Sequence, residues 1–237
     1  MDPRDAEAFL GLSVGAFDHI PSYARRAALE AIAKVRRLEQ EKTFRPGLYY
    51  IALVDLCGST IASQKLGAGK SRMRVEWFVT ACVEALGQVE LRNYAQFLKE
   101  IGDATLFIFS SFGDLLDWAR NADKLFESYS AEYEPPISDD TESDKLNDEL
   151  IECFAMHTKK VVHLGEVAYS GKANPLALAV NQVFKIEKLF GPDQLGCTDV
   201  VADTVRPSLV DHGLSLNPNV PVTLPQEDHE SMTWIIK

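Results

Sequence analysis

The sequence predicts an α+β domain, a central and mostly antiparallel sheet with helices packed on it. Three observations predict it. Leu48 to Val54 is an unbroken apolar run, as expected of a central strand buried on both faces. Ala95 to Ile101 and Ala104 to Phe109 are two more such runs, joined by Gly102-Asp103, a pair that reads as a hairpin turn. Between these runs the apolar residues recur at helical spacing.

The elements follow in order. Met1 to Asp18 mixes charge with short apolar pieces and lacks a signal-peptide layout. Ser22 to Lys42 reads as a helix, with Ser22 as N-cap and Ala24, Ala27, Ala28, Ala31, Ile32, Val35 and Leu38 on one stripe. Arg45-Pro46-Gly47 ends it. The strand to Val54 comes next, then a helix over Val75 to Leu91, the hairpin, and a helix over Phe112 to Tyr133. Glu134 to Glu149 is rich in Asp, Glu, Ser and Pro and reads as an exposed, mobile loop. Leu150 to His163 reads as extended with a break near Thr158, and Glu166 to Tyr169 continues it. Helices are expected over Leu176 to Phe190 and Thr198 to Leu209, and one or two strands after Leu214.

Composition narrows the classes. The chain has 237 residues, 46% of them hydrophobic, enough for one globular domain with a sizeable core. A net charge of −11 argues against a grip on a nucleic-acid backbone. It leaves room for a small phosphorylated ligand, since a metal bridges carboxylates to phosphates. The four cysteines show no metal-binding or disulfide spacing and suit a reducing cytosol. No apolar run reaches the roughly 20 residues that span a bilayer, so no membrane partner is expected.

Two acids stand out. Asp55 ends the first strand and Asp103 sits at the hairpin tip. A carboxylate at the rim of a buried strand is costly unless a cation meets it. Two that converge make a site for Mg²⁺ or Mn²⁺, ions that serve phosphate chemistry. Taken singly, Asp55 reads as a helix cap and Asp103 as a turn residue. Gly58-Ser59-Thr60 is small enough to bring backbone N–H groups close to an anion. Tyr49 and Tyr50 read as strand packing before they read as a stacking surface for a base. Gly67-Ala68-Gly69-Lys70-Ser71 mimics a P-loop, but Gln64 stands where that motif needs Gly. His163 reads as a satisfied strand histidine.

Four motifs together resemble the class III nucleotidyl cyclases. Val54-Asp55-Leu56-Cys57-Gly58-Ser59-Thr60 is similar to their first metal motif, and Lys99-Glu100-Ile101-Gly102-Asp103-Ala104 to their hairpin. His163-Leu164-Gly165-Glu166-Val167 and Ala179-Val180-Asn181-Gln182-Val183-Phe184-Lys185-Ile186-Glu187 are similar to a later strand and helix. The resemblance runs from Leu48 to about Leu189, in the family's order. It implies a cyclase-like (ferredoxin-like, palm) sheet in a homodimer with two interfacial active sites. Residues 1–45 then form an N-terminal helical extension, and residues 46–237 the cyclase domain with the acidic loop 134–149. By the same resemblance Asp55, Leu56 and Asp103 hold two divalent ions, and Asn181 and Lys185 steady the ribose and the transferring phosphate. Lys99 and Asn174 read the base from the other subunit, while Gly58, Ser59, Thr60 and Ile101 complete the substrate pocket.

The chain departs from the family pattern at three places. Ser59 replaces a usual Phe, Lys185 a usual Arg, and Asn174 the Asp that reads adenine. An amide both donates and accepts, whereas a carboxylate at neutral pH only accepts. With Lys99 as a donor, that pair matches uracil best, then cytosine, then adenine. The motif and the compact chain also look like the Pycsar pyrimidine cyclases of bacterial antiphage defence, which implies a separate effector protein for the cyclic product. The competing reading is a non-catalytic nucleotide-binding module on the same fold, favoured by Lys185 in place of Arg.

Overall fold

The computed structural model describes residues 1–41, 44–90, 93–135, 142–168 and 178–237. The chain divides into two compact units. One comprises Met1–Leu38, Leu56–Val89 and Asp117–His157; the other comprises Glu39–Asp55, Glu90–Leu116 and Thr158–Lys237.

The first unit is helical. Helix α1 (Pro3–Leu10) starts where the Asp2 carboxylate accepts from the Arg4 N–H at 2.9 Å, with Pro3 at the first helical position. The buried Glu7 accepts the N–H groups of Gly15 and Phe17, both at 3.0 Å, and so shapes the turn into α2 (Ala16–His19). Helix α3 (Ser22–Glu41) buries Ala24, Ala28, Ala31, Ile32 and Val35 of the stripe its sequence predicts, while Ala27 is exposed and Leu38 half-buried. Ser22 is its first helical residue and not its cap. Helix α4 (Ser59–Gln88) begins well before Val75, where sequence spacing starts it. Its first turns are largely exposed and carry Gly67 and Gly69, so no apolar period announces them. The P-loop mimic lies inside this helix, at a kink where Gly67 has φ 76°. Helix α5 (Phe112–Ala131) runs mostly through this unit, and its Trp118 indole donates to the Cys82 carbonyl at 2.9 Å.

Helix α6 (Glu142–Phe154) corrects the sequence reading on both sides of Leu150. Residues up to Glu149 were expected as loop and those after it as strand. Leu146, Leu150, Ile151 and Phe154 keep helical spacing, and Phe154 is fully buried, stacked on Tyr133. The acidic residues that look like loop are also tolerable helix surface. Residues 136–141 of the expected loop lie outside the described residues.

The second unit holds a seven-stranded sheet in the order β2-β3-β1-β4-β5-β7-β6. Its strands are β1 (Gly47–Leu56), β2 (Ala95–Ile101), β3 (Ala104–Phe109), β4 (Thr158–Val167), β5 (Leu195–Thr198), β6 (Leu216–Thr223) and β7 (Glu230–Ile236). Pairing is antiparallel for β1/β3, β2/β3, β5/β7 and β6/β7, and parallel for β4/β5. The mostly antiparallel α+β class is therefore as predicted. The expected extended run from Leu150 shrinks to a strand that starts at Thr158. Four-residue β5 has too little pattern to be read in advance.

One sheet face is a single apolar cluster. Tyr49, Ile51 and Leu53 of β1 meet Ala104, Leu106 and Ile108 of β3 and Val161 and Val167 of β4. Helix α7 (Leu178–Glu187) covers them with Ala179, Val180, Val183 and Ile186. Helix α8 (Asp199–Leu209) packs on β4, β5 and β7. Tyr49 and Tyr50 are packing residues, Tyr49 against Phe44 and Tyr94, Tyr50 against Phe112. No described helix is long and apolar enough to cross a membrane.

Candidate active site

Side chains alternate along a strand, so the parity that buries Tyr49, Ile51 and Leu53 puts Asp55 on the same face. In the β1/β3 register Asp55 pairs with Ala104, the residue after Asp103. Gly102 takes a left-handed φ of 65° as the first residue of the two-residue turn, which only glycine does without strain. That turn delivers Asp103 to the end of β1. The two acids predicted from sequence are thus neighbours in space.

Their electrostatics agree. Burial pushes the Asp55 carboxyl above the usual carboxylate range, Lys159 opposes the shift, and Glu187 and Asp103 add to it. Asp103 is therefore near enough to be felt. Two sequence-silent residues complete the group. Lys159 of β4 places its Nζ 3.2 Å from Asp55 Oδ2 and also donates to Glu187 Oε1 of α7. Their side chains are 19% and 13% exposed, and that of Asp55 is 23%. Burial disfavours the Lys159 ammonium, but Glu187 and Asp55 outweigh it and hold its pKa above the ordinary lysine value. No spacing in the sequence marks either residue, and Lys159 stands beside a second lysine, Lys160.

Strand β2 adds a further device. Phe97 pairs with Phe107, yet Lys99 pairs with Leu106, so a bulge at Leu98 shifts the register by one. Lys99 and Ile101 are thereby registered against Leu106 and Ala104, on the face that carries Asp55. Asn181 and Lys185 are exposed, four apart on one face of α7, as their spacing predicts. Gly165 of β4 is what seats that helix: a Cβ there would lie 2.4 Å from Ala179 Cβ. His163 is buried and its Nδ1 lies 3.0 Å from Thr198 Oγ1. Burial lowers its pKa, against the pull of Glu227, Gln182 and Asp199. Asn174 lies outside the described residues.

In the helical unit, Gly58 has φ 76° and opens α4 without a side-chain cap. Ser59 Oγ donates to the Leu56 carbonyl at 3.0 Å, and Thr60 is exposed. The four cysteines are free thiols.

Among the described residues no three His, Cys, Asp or Glu side chains form a metal cage. Two neighbouring carboxylates are nevertheless what Mg²⁺ takes when substrate phosphates and water fill its remaining positions. Asp55 and Asp103 fit that role.

No protein-family model matches this sequence, and no curated protein matches it. Solved structures do. A Trypanosoma brucei adenylate cyclase, described in its monomeric state, matches at 15% identity and TM-score 0.57, over 80% of this chain and 89% of that one. The guanylate cyclase domain of RhGC from Catenaria anguillulae, in complex with GTP, matches at 12% and 0.53, over 80% and 96%. A non-canonical dimeric guanylyl cyclase domain from Blastocladiella emersonii matches at 11% and 0.54, over 81% and 98%. The chain has the class III nucleotidyl cyclase fold.

Proposed function

We propose that this chain is a metal-dependent nucleotidyl cyclase that takes a pyrimidine nucleoside triphosphate, UTP before CTP, to its 3′,5′-cyclic monophosphate and pyrophosphate. The observation that carries the reading is the register of β1 on β3. It brings Asp55 and Asp103 together on a fold whose solved relatives include a GTP-bound cyclase domain.

In this reading the ribose 3′-hydroxyl attacks the α-phosphorus, the bond to the β-phosphate oxygen breaks, and pyrophosphate leaves. Two divalent ions held by Asp55, Asp103 and the Leu56 carbonyl would ease loss of the hydroxyl proton and offset charge on the triphosphate. Asn181 orients the ribose. Lys185 faces the phosphate as a point charge, without the planar fork of an arginine, and so gives slower turnover than a fork would. Gly58, Ser59 and Thr60 offer backbone N–H groups to the triphosphate at the start of α4. Lys99 and Asn174 read the base, and Ile101 lines the pocket. The enzyme works as a homodimer with two interfacial sites, in the cytosol, and its product signals to a separate effector in antiviral defence.

The test is to incubate the chain with all four NTPs and Mn²⁺ or Mg²⁺ and identify products by mass. Cyclic UMP as the main product supports the proposal. Cyclic AMP as the main product would overturn the base assignment, and no cyclic product would leave the non-catalytic module. Asp55→Ala and Asp103→Ala are each expected to lower turnover at least about a thousandfold. Asn174→Asp is expected to shift product from pyrimidine toward adenine, and an unchanged spectrum would refute its role.

A further inference from the structure

The Asp55–Lys159–Glu187 bridge joins three elements: β1, β4 and α7. All three side chains are largely buried, and each acid faces the same ammonium. Asp103 adds a third carboxylate within electrostatic reach of Asp55. A cluster of three acids and one lysine is short of positive charge, and a cation entering it must meet Asp55 where the lysine already stands. The lysine has an alternative partner. Glu187 accepts from the same Nζ, so leaving Asp55 does not strand the ammonium without a counter-charge.

We infer that Lys159 is a tethered counter-cation that competes with divalent metal for Asp55, and that Glu187 is the acceptor to which it retreats when metal binds. This deepens the proposed function and rests on Asp55 being a metal ligand. Lys159 and Glu187 are then positioning residues that set metal affinity. The competition keeps the isolated subunit poor in metal until a substrate brings phosphate ligands of its own.

The two residues have opposite expected effects, which a merely structural bridge would not produce. Mn²⁺ binding to the nucleotide-free chain is measured by electron paramagnetic resonance of the free ion, with circular dichroism to check folding. Lys159→Met removes the competitor and is expected to tighten Mn²⁺ about tenfold, as loss of one close charge pair allows. Glu187→Gln removes the retreat, leaves Lys159 on Asp55 alone, and is expected to weaken Mn²⁺ about fivefold. If Lys159→Met does not fold, Glu187→Gln, which keeps the side-chain volume, decides the matter. Weaker binding in the lysine variant, or unchanged binding in the glutamine variant, overturns the inference. Asp55→Asn separates the two levels. If it leaves Mn²⁺ binding intact, the metal assignment itself fails; if it abolishes binding while the other variants miss their signs, only the competition fails.

Discussion

Each unit holds a cation away from bulk water, Arg74 fully buried and Lys159 partly so, and each satisfies it differently. In the helical unit Arg74 is 2% exposed, and its guanidinium donates to three backbone carbonyls: Cys57 at 2.8 Å, Phe154 at 3.0 Å and Ala155 at 2.7 Å. In the sheet unit Lys159 meets side-chain carboxylates. The guanidinium fork matches several fixed acceptors at once and locks the chain segments that carry them. The ammonium is a single point between acids that another cation also wants. A buried charge on carbonyls is architecture; a buried charge on exchangeable carboxylates is a candidate for chemistry.

The sharpest break of that comparison is Arg74→Met. It leaves the carbonyls at Cys57, Phe154 and Ala155 without their donor and is expected to cost about 3–4 kcal/mol of stability, read from urea unfolding. Its Mn²⁺ affinity should shift less than about twofold, well below the change expected at Lys159. If Arg74→Met shifts metal affinity as strongly as Lys159→Met does, the division between architecture and chemistry fails.

Close packing gives a second, smaller comparison. Both units use a glycine to let elements touch. A Cβ on Gly87 of α4 would lie 2.6 Å from the Ala31 carbonyl oxygen of α3, and one on Gly165 would meet the Ala179 methyl. Gly165→Ala is expected to cost about 1–3 kcal/mol by overpacking and to lower turnover as well, because α7 carries Asn181 and Lys185. A stability loss with turnover untouched would detach α7 from the site.

The smallest effect concerns pH. The folded pKa of His163 lies below its unfolded value, so between the two the unfolded chain binds the extra proton. Its contribution to stability is present above the ordinary histidine pKa and is lost as pH falls through the folded one. Urea midpoints of the wild type should therefore fall between neutral pH and about pH 5 more steeply than those of His163→Gln. Parallel curves would show that another group governs the acid limb.

Much of the site was legible because it is local. Asp55 ends an apolar run, Asp103 follows a glycine at a turn, and Asn181 and Lys185 sit one helical turn apart. Each needs only its neighbours to be recognised. Lys159 and Glu187 were silent, since their partners come from other elements and no spacing in the chain records the meeting. The start of α4 and all of α6 were misread for a related reason. Exposed helical turns carry no apolar period, and acidic composition looks the same on a loop and on a helix surface. Arg74 was equally invisible, because its acceptors are carbonyls and every residue has one.

The bulge at Leu98 has a consequence of its own. A strand's faces are chosen by counting, and β2 counts one residue more than its partner between Phe97 and Lys99. Deleting Leu98 would even the count and leave Lys99 and Ile101 opposite Leu106 and Ala104, on the face they already occupy, but it would take a fully buried side chain out of the core. A single-codon loss there would thus keep the order of the hairpin tip and be felt instead as lost packing and a flatter local twist.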